Sequence, residues 1–444
     1  MCLVFGWPGF SYYFDRDDIM NLRRAVGQPV SYWAADCFSF RVSAYRPLGS
    51  LFHAALYGIG GMRPDVFRAA CFALILINLG LLFCFARRIT GSVEAGLAAA
   101  LLGCFHSRMS SLFSSIGNVY DVLCFSLFFA AFLLYGTVMK ASGARHYVLA
   151  GALLALQLLA LDAKEMAVML PAVLVCYEVL WPTGRAWQRF WLIGAVSLLT
   201  AVFFLPKMLL ASPLSVGYPS EYTAARFFEN WNYYLGDLFY SFHPAPLWVS
   251  IGTIAALWAA ALVLRSRPMI FCSCFILLMA LPVSFIPTRG LNVWYLPLAG
   301  WACYFAALLQ HVLRRASAMI EAKIHALGFA LLFAALATAH ALDRPYRFVP
   351  NEGFDQSILD FERQTTALLG TPSPQARILF LNDPFQSNEW TASGVLQLHY
   401  HNPELDVERV KLPEQVEATR VNTYDYVFDY RDGRVVLTEL HRLP

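Results

Sequence analysis

The sequence predicts an all-α polytopic membrane protein with about 10–11 transmembrane helices and a small C-terminal extracytoplasmic α/β domain. Of the 444 residues, 58% are hydrophobic and only 14% are charged, whereas an ordinary soluble protein carries about 25% charged residues. The apolar residues form long runs, and only the C-terminal part of the chain departs from this composition. These observations exclude a disordered chain, a collagen, a disulfide scaffold and a nucleic-acid binder.

Ten apolar runs cross a bilayer or nearly do so, given that a span needs roughly 17–25 residues. They are 66–86, 93–105, 122–139, 147–161, 166–181, 190–210, 247–264, 269–286, 293–313 and 324–341. Lys and Arg residues fall in every second loop between the runs, which is the positive-inside pattern. The alternate loops and the C-terminal part are therefore expected on the outer face.

The first apolar segment, residues 2–14, is too short to span a membrane. Thirteen helical residues reach about 20 Å, whereas the apolar core of a bilayer is about 30 Å thick. Pro8 and Gly9 interrupt the segment, and no basic residue precedes it, so it does not resemble a signal peptide. We expect that the sequence begins inside the true first helix.

Two outer loops, 15–65 and 211–246, are long and rich in aromatic and charged residues. This composition favours amphipathic helices that lie on the membrane surface or cap a cavity. The alternative is that they are plain connecting loops, which is less common at this length.

A shift in charge divides the chain into a transmembrane domain, residues 1–342, and an extracytoplasmic domain, residues 343–444. Residues 1–340 contain 23 Lys/Arg and 14 Asp/Glu, whereas the remaining residues contain 10 Lys/Arg and 16 Asp/Glu. In the second part, 357–369 and 391–400 have helical patterns, and 377–381 is a short apolar strand. Segments 426–430 and 434–439 flank Asp432-Gly433, which predicts a β-hairpin.

Three carboxylates follow the first apolar segment directly: Asp15, Asp17 and Asp18. At a membrane boundary such residues are able to act as a general base or to bind a divalent metal. The alternative is a solvated helix end, since acidic residues favour the N-terminus of the helix that follows. The spacing leaves both interpretations open.

Further ionisable residues lie at the outer ends of the predicted spans, where such groups are functional candidates. Lys164 and Glu165 follow Asp162 in a very short outer loop, where an internal ion pair is the alternative explanation. Arg289 and Lys207 are suited to bind phosphate, or else to extend their charges from the membrane to the interface. The remaining candidates are His106, Arg108, Asp121, which also suits a helix start, and Tyr295.

Acids and bases that converge on one face of a polytopic protein suit transfer chemistry on a lipid-linked phosphate. An acid is needed to deprotonate the acceptor hydroxyl, and cations are needed to neutralise the phosphate that leaves. Because the leaving group is already a stable anion, this chemistry does not require a second carboxylate as general acid.

Three stretches resemble the GT-C superfamily of membrane glycosyltransferases, which use polyprenyl-phosphate sugars. They are Tyr45-Arg46-Pro47-Leu48, the run from Ala163 to Pro171 (AKEMAVMLP) and the run from Tyr295 to Trp301 (YLPLAGW). The chain is most similar to the bacterial relatives of protein O-mannosyltransferases and of transmembrane-and-TPR mannosyltransferases. The likeness covers roughly residues 15–310.

The resemblance implies that Asp17 or Asp18 is the catalytic base and that the donor pocket includes Arg46, Lys164, Glu165, Arg289 and Tyr295. It also implies a helical membrane fold and an active site on the outer side of a bacterial cytoplasmic membrane. The chain departs from the family in three ways: Asn292 stands where the family has Arg, the full first helix is missing, and TPR repeats are absent.

The expected partners are a lipid-linked sugar donor, membrane lipids and a protein or glycan acceptor, without nucleic acid. A divalent metal stays possible. The second hypothesis is a transporter or flippase, against which the sequence shows neither an internal repeat nor paired interrupted helices. The third is a non-catalytic assembly scaffold whose C-terminal part binds a partner.

Overall fold

The computed structural model is mainly helical and ends in a small sheet. It describes residues 6–41, 46–104, 106, 109, 111–210, 219–241, 243–316, 323–347, 352–385, 390–410 and 421–440. The helices are α1 (Arg16–Val26), α2 (Val30–Asp36), α3 (Pro47–Gly60), α4 (Pro64–Thr90), α5 (Val93–Cys104), α6 (Ser111–Ser114), α7 (Val119–Val138), α8 (Ala144–Ala163), α9 (Leu170–Leu180), α10 (Ala186–Leu209), α11 (Ala224–Leu238), α12 (Leu247–Val263), α13 (Arg267–Ser284), α14 (Tyr295–Ala316), α15 (Lys323–Arg347), α16 (Glu352–Leu369) and α17 (Thr391–His399). The strands are β1 (Arg377–Phe380), β2 (Asp406–Arg409), β3 (Tyr426–Arg431) and β4 (Arg434–Leu440).

Six helical segments among the described residues are long and apolar enough to cross a membrane, judged by length and composition. They are Pro64–Thr90, Ile116–Val138, Ala144–Ala163, Ala186–Leu209, Arg267–Ser284 and Leu291–Arg314. Shorter apolar helices cover Val93–Gly103, Leu247–Val263 and Leu327–Ala339. Each segment overlaps a predicted run, and the remaining run, 166–181, forms a 3-10 segment and α9. The predicted polytopic helical fold is confirmed.

Aromatic side chains hold three spanning helices around a common core. The ring centroid of Phe85 on α4 lies 4.7 Å from that of Phe129 and 4.9 Å from that of Phe132 on α7. Phe275 on α13 lies 5.6 Å from Phe85. Contacts between tilted rings of this kind stabilise a core in addition to the stabilisation that comes from burying their apolar area. They also fix α4, α7 and α13 relative to one another.

Both long outer loops contain the helices that their composition predicts. The first contains α1, α2 and α3, and the second contains α11. Asp15 is the N-cap of α1: its carboxylate accepts a hydrogen bond from the Asp18 amide, and the Asp18 carboxylate accepts one from the Asp15 amide. This reciprocal arrangement satisfies two amides that the first helical turn leaves unpaired. The Thr223 hydroxyl caps α11 by accepting a single hydrogen bond from the Arg226 amide.

The C-terminal part has a four-stranded sheet in the order β2-β1-β3-β4. Strand β1 pairs in parallel with β2 and β3, and β3 pairs antiparallel with β4 through the predicted Asp432-Gly433 turn. The predicted helices correspond to α16 and α17. The sequence did not predict β2, because four residues with two acids have no alternating apolar pattern. The boundary between residues 342 and 343 lies within α15, and we keep the two-domain division as a prediction.

The C-terminal part packs directly on the first outer loop. Residues of α17 and the sheet share one apolar core with Ile19 and Leu22 of α1 and Tyr57 of α3. The helices approach closely at Gly394, where an added Cβ would lie 2.9 Å from Ile19 Cγ2. The first outer loop and the C-terminal part therefore lie on the same side of the membrane domain.

Candidate active site

A cavity of about 680 Å³ opens among the ends of the spanning helices that face the C-terminal part. We call it the central cavity. Its walls come from the start of α1, the start of α3, the segment 111–121, the 3-10 segment after α8, the end of α10 and the segment 281–293. It brings together eight of the predicted site residues: Asp15, Asp17, Arg46, Asp121, Lys164, Glu165, Lys207 and Arg289.

Asp17 presents its carboxylate to the central cavity from the first turn of α1. Its side chain is exposed there, and among the described residues the carboxylate accepts no hydrogen bond. Partial burial and the nearby Asp15 raise the pKa of Asp17, while Arg289 and Arg16 oppose the rise. An unengaged carboxylate with a raised pKa has the properties of a general base.

Asp18, the neighbouring candidate, is turned away from the cavity and is fully buried. Its Oδ1 accepts hydrogen bonds from the Gly117 amide at 2.7 Å and the Ser115 hydroxyl at 3.0 Å. Burial and Asp15 raise its pKa well above the usual value. Asp18 therefore anchors the segment before α7 to the start of α1, and Asp17 is the member of the pair that meets the cavity.

Arg46 and Glu165 form a two-fold hydrogen-bonded ion pair on the cavity wall. Arg46 Nε donates to Glu165 Oε1 at 3.0 Å, and Nη2 donates to Oε2 at 2.7 Å. Burial alone would raise the pKa of Glu165, but Arg46 brings it below the usual value. The Arg46 guanidinium also lies 5.3 Å from the centre of the Tyr120 ring. Such paired geometry fixes the guanidinium plane.

Arg46 has a left-handed backbone conformation, with φ 51° and ψ 58°, immediately before Pro47. For a residue other than glycine this conformation costs on the order of 1–3 kcal/mol. The ion pair with Glu165 and the contact with Tyr120 hold the residue in this place.

Lys164 forms an ion pair with Asp121, in the first turn of α7, and both side chains are buried. The alternative explanation, an internal ion pair within the Asp162–Glu165 turn, is therefore wrong, because Lys164 pairs with Asp121 and Glu165 pairs with Arg46. A buried pair of this kind is stable only with both partners present.

Lys207 and Arg289 contribute two further positive charges to the cavity. Lys207 lies near the end of α10 with its ammonium 3.9 Å from the centre of the Phe203 ring. Arg289 lies in the segment after α13, where its amide donates to the Tyr234 hydroxyl. Arg289 and Asp17 both line the central cavity, and the Arg289 charge opposes the rise in the pKa of Asp17.

Besides Asp18, three predicted site residues are not among those that line the central cavity. His106 is buried with its Nε2 2.8 Å from the Leu238 carbonyl, and its ring stacks on Tyr240. Tyr295 is buried and stacks on Phe125 with ring centroids 4.3 Å apart. Arg108 lies outside the described residues.

Polar residues outside the predicted set of site residues complete the cavity wall. Tyr120 donates to Asn21 Oδ1 at 2.8 Å, and Asn292 Nδ2 donates to Asn118 Oδ1 at 2.6 Å. The sequence spacing could have indicated Asn21 as a site residue, because Asn21 lies one turn after Asp17 on the same face of α1. The described residues contain no group of three His, Cys, Asp or Glu that could bind a metal ion.

The long apolar helices and the charged cavity at their ends are the features expected of an enzyme that acts on a membrane-held substrate. Residues 45–209 match the model of a family described as dolichyl-phosphate-mannose-protein mannosyltransferase. No curated protein gives a significant match to the chain.

Two solved structures share the fold across almost the whole chain. One is ArnT from Cupriavidus metallidurans bound to undecaprenyl phosphate, with a TM-score of 0.54 and 16% identity, covering 98% of this chain and 96% of that one. The other is the same ArnT in the apo state, with a TM-score of 0.52 and 15% identity, covering 98% and 95%. The chain therefore shares the fold of these two structures, and its residues 45–209 resemble the mannosyltransferase family, which agrees with the class that the sequence predicts.

Proposed function

We propose that the protein transfers a sugar from a polyprenyl-phosphate donor to an acceptor hydroxyl at the outer membrane face, with Asp17 as the general base. The observation that carries the proposal is the position of Asp17. Its carboxylate is exposed to a cavity that also contains Arg46, Lys207 and Arg289. A base and several cations around one open space are the groups that this transfer needs.

In the proposed reaction the acceptor oxygen forms a bond to the anomeric carbon of the donor sugar. Asp17 takes the proton of the acceptor hydroxyl, and the bond between the anomeric carbon and the phosphate oxygen breaks. The electron pair of that bond leaves with the polyprenyl phosphate. The negative charge on the phosphate increases in the transition state, so nearby cations lower the barrier.

The central cavity has an apolar side that suits a polyprenyl chain. Phe204, Met208, Leu281, Val283 and Ile286 line it. Lys207 lies among them, at the end of a spanning helix, where the phosphate of a lipid held in the membrane is expected. We therefore assign Lys207 and Arg289 to the donor phosphate.

The ion pairs indicate that the remaining donor-pocket residues have a structural role. Arg46 with Glu165, and Lys164 with Asp121, each join segments that are distant in sequence. We assign these four residues to the shape and charge of the donor pocket. In this proposal Lys207 and Arg289 compensate the charge of the leaving phosphate.

The proposed orientation places the central cavity and the C-terminal part on the periplasmic side of a bacterial cytoplasmic membrane. The positive-inside charge distribution supports it. The bound undecaprenyl phosphate in the ArnT structure supports a polyprenyl-phosphate donor for this chain as well. The comparisons favour a transferase over the transporter hypothesis.

The test is transfer by purified full-length protein with a labelled polyprenyl-phosphate sugar and an envelope fraction from a deletion strain as acceptor. Asp17→Asn is expected to lower the turnover rate by about 10²–10⁴-fold, the range for loss of a general base. The melting temperature and the affinity for the donor are expected to stay close to those of the wild type.

Asp65→Asn is the matched control, because Asp65 is also the second residue of a helix but lies on an exposed surface, paired with Arg63. It is expected to leave transfer unchanged. Turnover by Asp17→Asn at the wild-type rate would remove the base assignment. Transport of the intact donor without release of polyprenyl phosphate would instead favour the transporter hypothesis.

A further inference from the structure

A second pocket of about 420 Å³ lies between the first outer loop and the C-terminal part. We call it the side pocket. The described residues that line it include Arg23, Arg24, Gln28, Trp33 and Trp390, with no acidic residue among them. Two cations, an amide and two indoles form the type of surface that binds acidic sugars, because Arg pairs with phosphate or carboxylate and indoles provide flat apolar faces.

The C-terminal part builds one wall of the side pocket. Trp390 precedes α17 and is half-buried at the pocket. Gln397 of α17 accepts a hydrogen bond from Arg23 Nε at 2.7 Å and donates from its own Nε2 to the Leu405 carbonyl at 2.9 Å. Gln397, in the C-terminal part, therefore fixes the orientation of the Arg23 guanidinium.

The opposite wall is rigid as well. The Trp33 indole is buried and donates to the Ala25 carbonyl of α1 at 2.7 Å. Its ring also packs with Ala25 and Ala54. The pocket is thus bounded by side chains that the fold holds in place, which lowers the entropy cost of binding a ligand.

Helix α1 separates the side pocket from the central cavity and lines both. Residues 20, 23, 24 and 27 face the side pocket, and this i, i+3, i+4, i+7 spacing defines one face of a helix. Asp17 and Asn21 line the central cavity from the adjacent face, and Met20 lines both spaces. At 1.5 Å per residue, Arg24 lies about 10 Å along the axis from Asp17.

We propose that the side pocket binds the acceptor, and that the acceptor is an acidic glycan carrying a phosphate or carboxylate group. This inference rests on the proposed function, because it takes Asp17 as the place where the acceptor hydroxyl reacts. The anionic group binds Arg24 and Arg23, the adjoining sugar rests on Trp390, and the reacting hydroxyl lies one or two sugar units away at Asp17. The C-terminal part then selects the acceptor.

The test is calorimetric titration of the full-length protein in detergent with two matched probes, maltotriose and its terminal phosphate ester. The wild type is expected to bind the ester more tightly than the neutral sugar. Arg24→Gln is expected to weaken binding of the ester by about 10-fold, as expected for the loss of one charge-assisted hydrogen bond, with Arg24→Lys retaining part of the affinity. Trp390→Ala is expected to weaken both probes.

Arg363→Gln is the control, since Arg363 is an exposed arginine of α16 outside the side pocket. Asp17→Asn is expected to bind the ester normally, so a failure of the base assignment leaves this test intact. Equal binding of the two probes by the wild type, or unchanged binding of the ester by Arg24→Gln, would overturn the proposal.

A final comparison identifies the source of the acidic glycan. The same phosphate ester is attached to a lipid and presented in nanodiscs that contain the protein. Tighter binding than for the free ester supports an acceptor held in the membrane, and equal binding supports an acceptor held outside it. If Arg24→Gln binds the lipid-attached ester as the wild type does, the proposal fails.

Discussion

Gly49 of α3 leaves the space that the Tyr120 ring occupies beside the central cavity. A Cβ added at Gly49 would lie 1.9 Å from Tyr120 Cε1, whereas ordinary contacts begin at 3.4 Å. The ring would have to move by about 1.5 Å in a close-packed site, and overpacking of this type costs about 1–3 kcal/mol. Gly49→Ala is therefore expected to lower the melting temperature.

The same change is expected to lower the transfer rate more than stability alone explains. Tyr120 donates to Asn21 and lies under the Arg46 guanidinium, so its displacement changes two walls of the site. A misplacement of about 1 Å at an active site costs on the order of 10²-fold in rate. The measurement is the initial rate at saturating donor, together with thermal unfolding in detergent.

Gly58→Ala on the same helix is the matched control. Its added Cβ meets no atom within 4 Å, so the substitution is expected to stabilise the helix by roughly 0.5–1 kcal/mol and leave transfer unchanged. Wild-type activity and stability in Gly49→Ala would refute the reasoning. An equal loss in Gly58→Ala would show that the effect belongs to α3 as a whole.

Two further predictions concern charge. Asp15→Asn removes a negative charge that raises the pKa of Asp17. Because Asp17 then stays deprotonated at lower pH, the acidic limb of the kcat/KM profile is expected to move to lower pH. An acidic limb that does not move would contradict this prediction. Lys164→Met leaves Asp121 buried without its partner and is expected to destabilise the protein by about 3–5 kcal/mol in thermal unfolding. The double substitution with Asp121→Leu is expected to regain most of that stability, and a single variant as stable as the wild type would disprove the pairing.

The sequence predicted most of the helices because their signals are local. Runs such as 66–86 and 190–210 must be helical in a bilayer, since a helix satisfies its own backbone hydrogen bonds there. The hairpin at Asp432-Gly433 also has a local signal, because its turn residues suit the required backbone angles. Strand β2 has no such signal; it forms because β1 offers it an unpaired edge.

The sequence also indicated which charged residues merit attention, but not what each one does. Asp17 and Asp18 are adjacent in the chain, and successive residues of a helix point about 100° apart. One carboxylate therefore meets the cavity while the other binds the segment before α7. The choice between them depends on Ser115 and Gly117, almost a hundred residues away.

By itself the sequence determined that the chain is a polytopic helical membrane protein with its candidate acids and bases gathered at one face. Hydrophobic run length and charge placement are properties of consecutive residues, so they can be read without a fold. The tertiary structure decided the partners: Arg46 with Glu165, Lys164 with Asp121. It also decided that the C-terminal part forms a pocket with α1, because these contacts join segments that only packing brings together.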